Sequence, residues 1–296
     1  MAGLRSSLHI LARGQTLFCG YETKIEIAEE LGVSRFKVAR LIDEAIEQDY
    51  VRFIFPKQQA MDEEIANNLR KKFHLEDAIV LSVAESWTTQ EELNHKLGEV
   101  TAEYLMQSLH EGMKVGIAWG RVLSSTVSKL SKLPPLDVVQ LSGVHPGIEF
   151  SQGPIDLIHK IAAISQGKAH PMYVPMWVDD EELAARLAGD PAVLDTQQYY
   201  SQLDVVITGI GDWKSGSSSL CKIFPDTWCE ALFQQDIAAD VCISLVSREG
   251  KIIHSPIERL GFGISTDQLQ KAKKVIGVAG GEEKYEGILA SLKSDF

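Results

Sequence analysis

Three cations stand where the dipole of a helix disfavours them. In 31-LGVSRFKVARLIDEAIEQD-49 a helix that begins at Ser34 carries Arg35, Lys37 and Arg40 in its first two turns and Asp43, Glu44, Glu47 and Asp49 towards its end. The dipole favours acids first and bases last, by about 0.3–1 kcal/mol per well-placed charge. Cations gathered at a helix start instead suit a polyanion presented to that end. Two strand-to-helix junctions repeat the pattern: Arg121 follows Gly120 in VGIAWGRVLSSTV, and Lys284 follows Gly280 and Gly281 in IGVAGGEEKYEGI. A glycine that lets the backbone approach, unpaired N–H groups at a helix start and a nearby cation together make an anion site. DVVITGIGDW adds Gly209, Gly211 and Asp212, a glycine-lined edge and a carboxylate suited to sugar hydroxyls; QLSG adds Gln140 and Gly143. Ordinary roles fit the same residues: Lys284 can pair with Glu282 or Glu283, Arg121 can lie on the surface, and the glycines can serve tight turns.

Other chemistries lack their residues. His145, His159, His170 and His254 show no HExxH or paired-ligand spacing, and are read as structural or surface residues. Cys19, Cys221, Cys229 and Cys242 form no CxxC pair, so buried free thiols are expected, with no metal and no cofactor. No apolar run reaches the 18 or so residues that span a bilayer, and the N-terminus lacks the pattern of a signal peptide. A cytoplasmic protein is expected.

The elements that must position these residues divide the 296-residue chain in two. Its net charge is −12. Residues 1–60 hold eight bases and eight acids, whereas the remaining residues hold 21 bases and 33 acids and so carry the whole imbalance. Such asymmetry suggests two functional units. In the first, residues 4–18 and 24–31 are predicted helices, a third helix follows Ser34 with Val38, Leu41, Ile42 and Ala45 on its inner face, and VRFIF is a short strand ended by Pro56. From about Met61, a helix through Phe73 leads into AIVLSV. Strand-like runs KVGIAW, VVQLSG, HPMYVPMW, DVVITGIG, DVCISLV and KVIGVAG then alternate with helical periodicity over 91–110, 120–132, 154–165, 179–188 and 281–293. Continuous apolar strands joined by helices predict an α/β fold with a mostly parallel sheet, whose ligands sit beyond the carboxyl ends of the strands.

Ala28, Gly32 and Val38, flanked by Ile27, Leu31, Val33 and Leu41, supply the small residue, the turn glycine and the aliphatic anchor of a helix-turn-helix. If the start of the second helix enters a major groove, phosphates and base edges become the partners of its cations. Ser34, Arg35, Phe36 and Arg40 are the base-edge candidates and Lys37 a phosphate contact, while Asp43 and Glu47 would repel DNA laid along the helix. With so few cations, a symmetric oligomer reading two or more half-sites is expected.

The chain resembles the SorC/DeoR family of bacterial sugar-responsive transcriptional regulators. The resemblance rests on IAEELGVSRFKVARLIDEA, VGIAWGRVL, VVQLSG, DVVITGIG and VIGVAGGEEKYEGILASL, in that order. It implies a DNA-binding domain over residues 1–56. Residues 57–296 would form an oligomerising effector domain with the fold of ribose-phosphate isomerase and glucosamine-phosphate deaminase. It also implies operator DNA and a sugar, sugar-phosphate or polyol effector as partners, in a homodimer or homotetramer. Family members typically have Thr where this chain has Val122, and a second glycine where it has Val144; no lysine stands at the QLSG strand end to capture an aldehyde. The alternative is a sugar-phosphate isomerase or deaminase-like enzyme with a helical appendage. Such chemistry wants a base beside the phosphate site, but the acidic cluster of those isomerases is replaced here by TGIGDW, so a non-enzymatic role is expected.

Overall fold

The computed structural model describes residues 23–47, 61–82, 89–294 and 296. The chain separates into two compact units, residues 1–60 and 61–296. The helix expected over 4–18 and the strand expected at VRFIF lie outside the described residues.

In the first unit, α1 spans Lys24–Glu30 and α2 spans Arg35–Glu47. Thr23 caps α1 in a reciprocal box with Glu26: the Glu26 amide donates to Thr23 Oγ1 at 3.3 Å, and the Thr23 amide donates to Glu26 Oε2 at 2.7 Å. Gly32 turns the chain at φ +63°, a conformation that favours glycine, and the Val33 amide donates back to Ala28 O at 3.0 Å. Ser34 starts α2, accepting from the Lys37 amide at 3.2 Å. Ile27, Ala28 and Val38 are buried together, with Leu31, Val33 and Ile42 packed against them.

The second unit opens with α3 (Glu63–Phe73) and α4 (Gln90–Ser108). Then come β1 (Lys114–Ile117), α5 (Arg121–Lys129), β2 (Asp137–Gln140), α6 (Pro154–Ser165) and β3 (Lys168–His170). Two short helices, α7 (Glu181–Ala188) and α8 (Pro191–Gln197), lead to β4 (Val205–Asp212), which is followed by α9 (Ser219–Ile223) and α10 (Asp226–Phe233). The chain ends through β5 (Ile237–Val241), β6 (Ser244–Ser247), β7 (Ile252–Ile253), α11 (Ile257–Leu260), α12 (Thr266–Gln270), β8 (Val275–Val278) and α13 (Tyr285–Lys293).

Strands β3, β2, β1, β4 and β8 lie side by side in that order and are all parallel. The long β4 then changes partners. Its residues up to Gly209 pair with β1 and β8, and Ile210–Asp212 pair antiparallel with β5, which continues through β6 and β7. Adjacent residues Val138 and Val139 of β2 are both fully buried, so both faces of this strand are covered, as a parallel strand requires. The mostly parallel α/β sheet is therefore present, with an antiparallel extension.

Three expected strands take another form. In AIVLSV the described residues make only an isolated bridge, Met61 to Leu81. HPMYVPMW leaves the sheet after His170, since Pro171 and Pro175 lack the N–H a ladder needs; what remains is two isolated bridges, Val144 to Pro175 and Trp177 to Gly261. DVCISLV is a hairpin rather than one strand, because Cys242 sits at φ +56° and reverses the chain between β5 and β6.

Candidate functional site

The carboxyl ends of β1, β4 and β8 open into a cleft. Its walls come from the residues that follow those strands, joined by Asn94 of α4, Ser219 and Leu220 of α9, and Asp240 and Cys242 of the β5–β6 hairpin. Parallel α/β sheets offer this end to ligands because helix starts and loops gather there.

Gly120 ends the β1 side at φ +124° and begins α5 with no side chain capping it. The amides of the first turn of α5 thus lie beside Arg121, which is exposed and has no carboxylate partner among the described residues. Opposite, Lys284 lies between Gly281, at φ +107°, and the start of α13. Its ammonium donates to the carbonyl of Ile210, at the point where β4 changes partners. Burial holds the Lys284 pKa below its usual value; Asp240 opposes that shift and Arg121 adds to it. Two cations and the N–H groups of a helix start, gathered around one cleft, are an arrangement for an anion.

Asp240 supplies the opposite chemistry. It is buried, with Oδ1 accepting from Trp213 Nε1 at 2.9 Å and from the Ser218 hydroxyl. Burial raises its pKa, and the bonds from Ser218 and Trp213 together with the charge of Lys284 counter part of that rise. Gly211 makes the carboxylate's position possible: a Cβ there would stand 2.1 Å from Asp240 Oδ1. Neighbouring Cys242 is not a nucleophile in waiting. Burial pushes its thiol up to about 12, so it stays protonated near neutrality.

The structure thus brings Gly120, Arg121, Gly209, Gly211 and Lys284 together around one cleft, with Gly281 adjoining it. It does not bring Gln140, Gly143 or Asp212 there. The Gln140 amide is buried, donating to Ser142 O at 2.6 Å and Met172 O at 3.2 Å and accepting from the Met172 amide at 3.0 Å. Gly143 lets the chain pass Pro175, whose carbonyl oxygen a Cβ would approach to 2.2 Å. The Asp212 carboxylate accepts from the amides of Ser215 at 2.8 Å and Gly287 at 2.7 Å, tying the β4 end to α13. All three are satisfied inside the fold. Asn94, Ser219 and Asp240 escaped the sequence reading; a charged residue inside the apolar run DVCISLV was the one available sign, since a buried carboxylate needs a reason to be there.

Of the histidines, His170 is bonded to Asp137 at 2.7 Å and packs on Tyr199, and His145 stacks on Trp177, while His254 pairs with Glu258. Each is engaged outside the cleft.

At the start of α2, Ser34, Arg35, Phe36, Lys37 and Arg40 are all exposed. The Arg35 guanidinium lies 4.8 Å over the Phe36 ring, and neither Arg35 nor Lys37 has a carboxylate partner among the described residues. Arg40 meets Glu44 at 3.5 Å in an exposed pair one turn on, an interaction of roughly 0.3–0.5 kcal/mol that a phosphate can displace.

Residues 57–296 match the family model described as "Putative sugar-binding domain". The chain belongs to the sugar-binding-domain family. Its relatives carry further names. It is 26% identical over 275 residues to the sorbitol operon regulator of Klebsiella pneumoniae, covering 91% of this chain and 87% of that protein. It is 23% identical over 278 residues to the deoxyribonucleoside regulator of Bacillus subtilis, covering 92% and 87%. Among solved structures, the full-length sorbitol operon regulator SorC of Klebsiella pneumoniae superposes with a TM-score of 0.72 at 23% identity, over 98% of this chain and 94% of that one. A DeoR family transcriptional regulator from Listeria monocytogenes gives 0.70 at 20% identity, over 79% and 92%. These relatives are named as transcriptional regulators, not enzymes. Among the described residues of this sugar-binding-domain protein, no helix is long and apolar enough to cross a membrane.

Proposed function

We propose that this protein is a transcriptional regulator whose operator affinity is set by a small sugar, sugar-phosphate or polyol effector. Residues 1–56 act as the helix-turn-helix domain. The N-terminal end of α2 enters the major groove, with Ser34, Arg35, Phe36 and Arg40 toward base edges and Lys37 on a phosphate. Residues 57–296 form the effector and oligomerisation domain, akin to sugar-phosphate isomerases and deaminases, and assemble as a homodimer or homotetramer. In the cleft, Arg121, Lys284, Gly120, Gly281 and the start of α5 take the anionic or most polar end of the effector. Val122 replaces a hydroxyl donor there, so backbone amides and the two cations carry the anion. Gly209 gives the ligand access to the backbone, and Gly211 makes room for Asp240, which accepts its hydroxyls.

The observation that carries the proposal is the exposed Arg35–Phe36–Lys37 end of α2. Its cations stand against the helix dipole without a carboxylate partner among the described residues, in a chain matched over nine-tenths of its length by regulators. Arg35→Ala combined with Arg40→Ala is expected to abolish operator retention in a gel-shift assay while leaving the thermal melt unchanged. Undiminished retention would remove α2 from the interface. A thermal-shift screen of free and phosphorylated sugars and polyols then identifies the effector class, beginning with the hexitols that the name of the sorbitol operon regulator suggests.

A further inference from the structure

One polar side chain reaches the cleft from far along the chain. Asn94, in the second turn of α4, lines it, and Gln90 one turn earlier braces it. Gln90 Nε2 donates to the carbonyl oxygen of Gly280 at 3.1 Å and to Asn94 Oδ1 at 3.2 Å. A carbonyl can only accept, so the bond to Gly280 decides which end of the Gln90 amide is the donor. That donor in turn requires Asn94 to present its oxygen. The Asn94 Nδ2 group, with two N–H donors, has no partner among the described residues and remains for the cleft.

The brace is seated by the glycine turn. A Cβ on Gly281 would stand 2.6 Å from Gln90 Oε1, and one on Gly280 would stand 3.0 Å from Leu97 Cδ1, so α4 packs on this turn as closely as two glycines allow. The cations and helix-start amides of the cleft attract any anion. A neutral amide adds no net charge. It discriminates by the position of an acceptor instead.

We infer that Asn94 is a specificity-determining contact, donating to an oxygen of the effector's sugar portion rather than of its anionic group, with Gln90 as its positioning residue. This rests on the effector role proposed for the cleft. Isothermal titration of the full-length chain with inorganic phosphate and with D-glucitol 6-phosphate tests it. Asn94→Ala is expected to weaken the hexitol phosphate about tenfold, the effect of one hydrogen bond at its upper range, and to leave inorganic phosphate unchanged. Gln90→Met, similar in size, should weaken the hexitol phosphate several-fold by itself and add nothing in the Asn94→Ala background, because the two act through one contact. A role of Gln90 in packing alone would add in full. Hexitol phosphate binding within twofold of wild type in Asn94→Ala, equal losses for both probes, or additive Gln90 and Asn94 effects would each overturn the inference. So would a wild-type chain that binds phosphate but gains nothing from the hexitol. A wild-type chain that binds neither probe overturns the effector role itself, and the inference with it.

Discussion

Lys284 and Gly211 show how single residues set the terms of the cleft. Burial lowers the Lys284 pKa from its usual 10.5, so its charge is lost at a lower pH than that of a surface lysine. An anion held there stabilises the protonated form, and its affinity should therefore fall as pH rises, starting below 10.5. Titration of an anionic effector across the alkaline range checks this, and Lys284→Met should abolish both the affinity and its pH dependence. If the melting shift survives in Lys284→Met, Lys284 serves only the Ile210 carbonyl. Gly211→Ala tests the carboxylate beside it. The added Cβ collides with Asp240 Oδ1, and Asp240 cannot easily retreat because Trp213 and Ser218 hold the same oxygen. A loss of about 1–3 kcal/mol in urea unfolding is expected from such overpacking. A change under about 0.5 kcal/mol, the range of an innocuous substitution, would mean that Asp240 moves freely.

At the scale of elements, β4 organises the unit, and much of it was legible. The helices over 154–165 and near 90–108 follow from periodicity, and the parallel strands β1, β2 and β4 from the continuous apolar runs that they bury; β8, only partly buried, was legible from its apolar run alone. What escaped depends on single backbone angles or on distant partners. Cys242 at φ +56° breaks DVCISLV into a hairpin, and no residue type announces that angle. Asn94 and Asp240 meet the strand ends only after folding, and Gln140 looked like a ligand residue because its buried partners, Ser142 and Met172, are set by tertiary structure. The opposite end of the sheet holds another such contact. Asp204 accepts from the Lys114 amide at 2.8 Å and from Lys273 at 2.7 Å, joining the starts of β1, β4 and the approach to β8. Burial raises its pKa, but Lys273 and the Lys114 amide outweigh that and the net shift is below 3.8. A depressed carboxylate pKa confers stability above the unfolded value that is lost as pH falls through the folded one. Asp204→Ala should thus cost about 1.5–3 kcal/mol near neutrality. The gap from wild type should close as pH drops below 4. Urea titrations at both pH values decide it, and a gap that persists in acid would show that the carboxylate charge is not the source.

For the whole molecule, the cleft and α2 belong to different compact units, so regulation requires that effector and operator each favour one state of the protein. A ligand shifts such an equilibrium only by its differential affinity for the two states, and a tenfold change in operator binding corresponds to about 1.4 kcal/mol. Linkage makes that coupling reciprocal: whatever factor the effector imposes on operator affinity, saturating operator DNA must impose on effector affinity, in the same direction. The chain's charge distribution makes this measurable. The excess of acids lies beyond residue 60, so DNA should not attract the effector domain, and an anionic effector should not bind the cationic start of α2 as strongly as DNA does. Titrating the effector into full-length protein, free and bound to operator duplex at fixed salt, should give dissociation constants whose ratio matches the change in operator affinity seen by gel shift. Salt must be held constant because phosphate contacts alone change affinity steeply with ionic strength. An effector that binds equally well with and without operator cannot regulate by this route, however tightly it occupies the cleft, and that result would leave a sugar-binding domain that does not control the DNA-binding end.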